Sequence, residues 1–83
     1  MRLATEPSLA TADDHYEAAF TRLGEGALQD ALAHLQRAVS LSPRQPKYTT
    51  ALAKVYDMLG DRERAGMLLL QAMRLRRELA ADR

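Results

Sequence analysis

The sequence predicts an all-α fold of two antiparallel helical hairpins stacked side by side, four helices in all. Three observations carry this expectation. Apolar residues recur at three- and four-residue steps along most of the chain. Glycines and prolines fall between those stretches, at Gly24, Gly26, Pro43, Pro46 and Gly60. A shift of 34 positions also pairs Ala19 with Ala53, Gly26 with Gly60, Ala31 with Ala65, Leu35 with Leu69, Ala38 with Ala72 and Leu41 with Leu75.

Residues 1–10 mix Thr, Glu, Pro and Ser without helical or strand period and are expected to form a flexible lead-in, leaving a single helical domain over 11–83. Thr11 with Asp14 resembles a capping box, and Asp13, Asp14 and Glu17 suit the positive end of a first helix. That helix carries the stripe Tyr16, Ala19, Phe20 and Leu23. A second helix, about 27–41, presents Leu28, Ala31, Leu32, Leu35, Ala38 and Val39 as one buried face. It stops at Ser42, because the residue before Pro43 is pushed out of helical geometry. Pro46 suits the first turn of a third helix, and Gly60 can take the left-handed conformation that closes it. Tyr48, Leu52, Val55, Tyr56 and Leu59 form its expected buried face. Asp61 caps a fourth helix, whose expected stripe is Ala65, Leu68, Leu69, Ala72, Leu75 and Leu79.

The 34-residue echo defines two repeats, 12–45 and 46–79. In the second, Leu52-Ala53-x-x-Tyr56, Gly60-Asp61 and Ala65-x-x-x-Leu69-x-x-Ala72 resemble the tetratricopeptide pattern. Gly26, Ala31-x-x-x-Leu35-x-x-Ala38 and Leu41-Ser42-Pro43 match its latter half in the first repeat. The resemblance implies a fragment of an α-solenoid whose first helices line a concave, peptide-binding surface. The first helix departs from the pattern, since the repeat register puts His15, Ala18 and Arg22 where the family has Trp, Leu and Tyr. Two readings follow. In the favoured one, the turn Gly24-Glu25-Gly26 is a residue short and the helix rotates Tyr16, Phe20 and Leu23 into the core. In the other, the register holds and those residues line the groove beside Thr50, Lys54 and Asp57.

Eighty-three residues leave no room for a second domain or a cofactor cleft. Twelve basic against eleven acidic residues give a net charge of +1, unlike a dedicated nucleic-acid or membrane-surface binder. No cysteine is present, so apolar packing must hold the fold, and His15 and His34, expected at the surface, cannot build a metal cage. No acid, base and nucleophile converge, and no glycine-rich phosphate loop follows a strand. An enzyme, a cofactor and a metal are therefore not expected. Glu6 and Pro7 interrupt any signal-peptide core, and the longest apolar run is Met67–Leu70, so no membrane span is expected and the location is taken as cytoplasmic.

What remains is binding. Lys47, Thr50, Lys54 and Asp57 form a polar row on the third helix, a solvated face or the floor of a groove that receives a protein or peptide. The family's chaperone-tail clamp uses Asn, and the chain has none. Met67 and Leu70 lie opposite the stripe of the fourth helix, with Met73 on its flank. Fewer than three repeats rarely bury a sufficient core, and the chain stops at Arg83 without a covering helix, so a partner surface is expected there. Burial of these three side chains at about 1.5–3 kcal/mol each matches the whole stability of a small domain. A homodimer through this helix is the first expectation, and docking on a larger enzyme or secretion assembly is the second. Residues 1–41 carry −3 and residues 42–83 carry +4, a division that could favour head-to-tail contacts. Arg74, Arg76 and Arg77 offer a weaker third reading as a nucleic-acid contact, although no exposed aromatics are interleaved with them.

Overall fold

Each helix begins and ends where its local chemistry dictates. The computed structural model describes residues 11–82; the expected lead-in over 1–10 lies outside them. Helix α1, Ala12–Gly24, opens on a complete capping box: Thr11 Oγ1 accepts from the Asp14 amide at 3.0 Å, and Asp14 Oδ2 accepts from the Thr11 amide at 3.3 Å. Helices α2, Leu28–Leu41, and α3, Pro46–Met58, follow, with Pro46 in the first turn of α3. Helix α4, Arg62–Ala81, is capped by Asp61, whose Oδ1 accepts from the Arg64 amide at 3.1 Å.

The architecture is all-α, with adjacent helices packed as α1 on α2, α3 on α4, and α2 on α3. The bounds of α1 and α3 differ by 34 residues at both ends, and so do the starts of α2 and α4. The two hairpin turns close with the same pair of hydrogen bonds. After α1 the Gly26 amide donates to the Leu23 carbonyl and the Ala27 amide to that of Arg22; after α3 the Gly60 amide donates to Asp57 and the Asp61 amide to Tyr56. Both are Schellman closures, which require a left-handed residue, supplied by Gly26 at φ 76° and Gly60 at φ 89°. The first turn is therefore not a residue short. The expectation that a shortened turn rotates Tyr16, Phe20 and Leu23 into the core is corrected in part: the 34-residue register holds and Phe20 is 48% exposed, while Tyr16 and Leu23 pack on the edge of the core.

Small side chains set how closely the helices approach. Ala19, Ala31, Ala38, Ala53, Ala65 and Ala72 are all buried, so backbones meet without intervening bulk. Around them, Leu35, Leu52 and Val55 fill the central core, with Tyr16, Leu23, Leu32 and Leu68 packed at its edge. A second cluster of Ala12, Ala38 and Tyr48 joins α1, α2 and α3.

Two expected core residues do not reach the core. Leu69 is 45% exposed and Leu79 37%, although both belong to the apolar stripe read from α4. Leu35, the repeat equivalent of Leu69, is 1% exposed. The difference has one cause: α3 packs on α2, whereas no described element packs on the corresponding side of α4.

Thr49 is fully buried, yet its Oγ1 has no hydrogen-bond partner among the described residues. A buried hydroxyl without a partner is destabilising by about 1 kcal/mol or more. Thr49→Val keeps the shape and removes the orphan, so we expect the variant to melt higher, by roughly 4–8 °C for a gain of about 1 kcal/mol. Thermal unfolding followed by circular dichroism measures this, and a lower melting temperature contradicts the account.

Candidate functional site

Because the register of α1 holds, its aromatic stripe faces outward across the hairpins. Tyr16, Phe20 and Leu23 form one wall of a groove of about 710 Å³. Its floor is Thr50, Ala51, Ala53, Lys54 and Asp57 of α3, and its far wall is Arg62, Ala65, Gly66 and Leu69 at the start of α4. Phe20 is 48% exposed, with the edge of its ring against Tyr16 at 4.8 Å between centroids. Tyr16 and Leu23 are half-buried, each with one side on the core and the other on the groove.

The candidate residues of the polar row are divided. Thr50, Lys54 and Asp57 line the groove. Lys47 lies outside its lining: its Nζ is 3.3 Å from Asp13 Oδ1 and sits over the rings of Tyr16 and Tyr48. The Tyr48 hydroxyl donates to the same carboxylate oxygen at 2.5 Å, so Asp13 joins α1 to α3 at one end of the groove. That hydrogen bond, followed by Lys47, holds the Asp13 carboxyl below its ordinary range, and it pushes Tyr48 up to about 12. Lys47 is therefore committed to the rim.

Within the groove the charges are unevenly matched. Arg62 Nε approaches Asp57 Oδ1 at 3.8 Å, and Arg76 reaches in from α4 to donate to Thr50 Oγ1 at 3.4 Å. Lys54 has no ion-pair partner among the described residues. The site thus combines an aromatic wall, an aliphatic wall at Leu69 and unmatched positive charge on its floor and edge.

The three candidate interface residues on α4 are all exposed: Met67 at 65%, Leu70 at 55% and Met73 at 55%. Helical spacing puts Met73 on the same side as Leu69 and Arg76, next to the groove, with Leu70 turned outward between Met73 and Met67. Met67 also borders a shallower depression of about 240 Å³ with Leu52, Tyr56, Arg64, Leu68 and Gln71. Gly66 occupies the interior of this helix, where it costs about 1 kcal/mol relative to Ala, yet a Cβ there would meet no atom within 4 Å. Nothing inside the fold requires it. The arginine cluster does not share one direction, since Arg76 turns to Thr50 while Arg74 and Arg77 are exposed on the outer side.

The histidines are a second correction. His15 is buried, not at the surface, and its Nδ1 lies 3.1 Å from Nδ1 of His34 on α2. The ring centroids are 5.3 Å apart, nearly as far as that contact permits, so the two nitrogens point at each other. This is the geometry of one shared proton, with one ring donating and the other accepting. His15 occupies the repeat position of Thr49, and the two differ: His15 has a partner inside its hairpin, whereas the Thr49 hydroxyl has none among the described residues. Among the described residues, no group of three His, Cys, Asp or Glu is placed to hold a metal. No helix among them is long and apolar enough to cross a membrane.

No family model, curated protein or solved structure matches the chain.

Burial lowers the pKa of His34, helped by the neighbouring His15 ring and the Arg22 charge and opposed by Asp30. A base held below its ordinary 6.5 in the fold binds protons more readily when unfolded. Its contribution to stability is therefore complete above 6.5, declines as pH falls, and is lost below the depressed folded value. A doubly protonated pair would also oppose two N–H groups. We expect the melting temperature to fall on acidification from about pH 7 to pH 5. In His34→Leu, that dependence is expected to flatten; an equal slope in the two proteins would contradict the linkage.

Proposed function

We propose that the protein is a cytoplasmic protein–protein interaction module, built as two tetratricopeptide-like repeats, that receives a short peptide segment in the groove and associates with a second copy through α4. Binding, without chemistry on the bound segment, is its activity. The observation that supports the peptide reading is the orientation of α1: Phe20 stands exposed, Tyr16 and Leu23 reach the core with one side only, and the three line an open groove with Lys54. Phe20, half in water beside the partly exposed Tyr16 and Leu23, makes a contiguous apolar patch of the kind that marks binding surfaces. The chemistry of the walls defines the ligand. Tyr16, Phe20 and Leu69 suit aliphatic or aromatic side chains, and Lys54 with Arg76 suits a carboxylate placed between them. The segment is therefore apolar on one side and acidic on its edge.

Selection from a displayed library of random peptides tests this reading directly. Recovered sequences are expected to combine bulky apolar residues with Asp or Glu. Phe20→Asp removes a side chain worth about 1.5–3 kcal/mol of burial and should weaken binding by roughly ten- to a hundredfold. Lys54→Glu should weaken it too and reduce its sensitivity to salt. Peptides that bind both variants as well as they bind the wild type would place the site elsewhere.

A further inference from the structure

The outer face of α4 carries more than exposed methionines. From Glu63 to Arg77 it reads as a palindrome of complementary chemistry about Leu70. Three residues on either side stand Met67 and Met73; seven residues on either side stand Glu63 and Arg77, of opposite charge. Gly66 and Arg74, four residues on either side, pair a vacant position with a long side chain. All of these residues are exposed.

We infer that a second copy of this chain docks antiparallel on α4, with the two-fold axis passing through Leu70. In this arrangement Leu70 meets Leu70 of the second copy, and Met67 packs against its Met73. Glu63 pairs with its Arg77, and Arg74 crosses the open surface at its Gly66. Each contact occurs twice, as an isologous interface requires. Two features of the single chain become intelligible. The helix-interior glycine, which no contact within the fold explains, gives the opposing helix room to approach. The opposite charges at the ends of the face become complementary pairs. A parallel pair is disfavoured by the same residues, since it would set Glu63 against Glu63, Arg74 against Arg74 and Arg77 against Arg77.

The inference specifies the geometry of the self-association proposed above and rests on that reading. It is independent of peptide binding, because Tyr16, Phe20 and Lys54 lie across the groove from this face. An interface one helix wide is small, so a dissociation constant in the micromolar range is expected.

The chain has no cysteine, which makes site-directed cross-linking unambiguous. Three full-length variants are compared with a short thiol-reactive cross-linker: Leu70→Cys, Glu63→Cys and Arg77→Cys. The expected result is that Leu70→Cys links to itself, that neither of the others does so efficiently, and that mixing Glu63→Cys with Arg77→Cys restores linkage. In sedimentation, wild type is expected to dimerise, Glu63→Arg to weaken the dimer on the order of tenfold, and Glu63→Arg with Arg77→Glu to recover it. Circular dichroism confirms that each variant is folded. A wild type that stays monomeric at several hundred micromolar, a Glu63→Cys variant that links to itself, or a dimer in which Leu70→Cys fails to link would each overturn the inference. Peptide binding is measured on the same samples as a separate readout, so the two proposals fail separately.

Discussion

The packing of α3 onto α2 is the contact on which the rest of the structure depends. It seals Leu35 almost completely and brings the two hairpins together as one body. The same contact fixes what α4 lacks. A repeated hairpin presents one face to its own partner helix, which buries Ala65 and Ala72 as it does Ala31 and Ala38, and another to the helix that would follow, where α4 has no cover among the described residues. Leu69 and Met73, equivalent to Leu35 and Val39, stand in that position, and both are exposed. Exposure here is a geometric consequence of repetition and not a local defect of the sequence.

Polar contacts act beside apolar packing in the pose of α1. His15 occupies an inward position that an apolar residue would ordinarily take and pairs there with His34, whereas Arg22 stays partly exposed and reaches Glu25 at 2.7 Å on the surface. A buried polar side chain is tolerated when its hydrogen bonds are made. Tyr16, Phe20 and Leu23 line the groove. Asp13, held by Tyr48 and Lys47, then pins the start of α1 to α3.

Much of this was legible in the residues. The caps at Thr11 and Asp61, the stops at Gly26, Pro43 and Gly60, and the 34-residue alanine ladder together specify four helices and their pairing. The direction of the α1 stripe was not legible from its spacing, because Tyr16, Phe20 and Leu23 have the period of a core face whichever way they point. The deciding signal was the turn: Gly26 and Gly60 stand 34 residues apart in the sequence, and both close their hairpins with a positive φ and the same hydrogen bonds, so the first loop is not shortened. The histidine pair was less accessible still, since 19 residues separate its members and only the closed hairpin brings them together. For Leu69 the periodicity was right and the conclusion wrong, because membership in an apolar stripe does not provide a covering helix.

The two exposed surfaces are adjacent yet differ in what they ask of a partner. Leu69 and Leu70 are consecutive residues, and one helical step turns the first toward the groove and the second away from it. The groove is concave and walled by aromatic rings, a shape that fits a narrow segment better than a second folded domain. The face centred on Leu70 is a convex helix ridge with charges of opposite sign at its two ends. Such a ridge matches another helix, and its near-symmetry matches its own copy best. Gly66 lies at the boundary, lining the groove while leaving the ridge low. In the proposed dimer a second helix would lie along this boundary, beside the far wall of the groove.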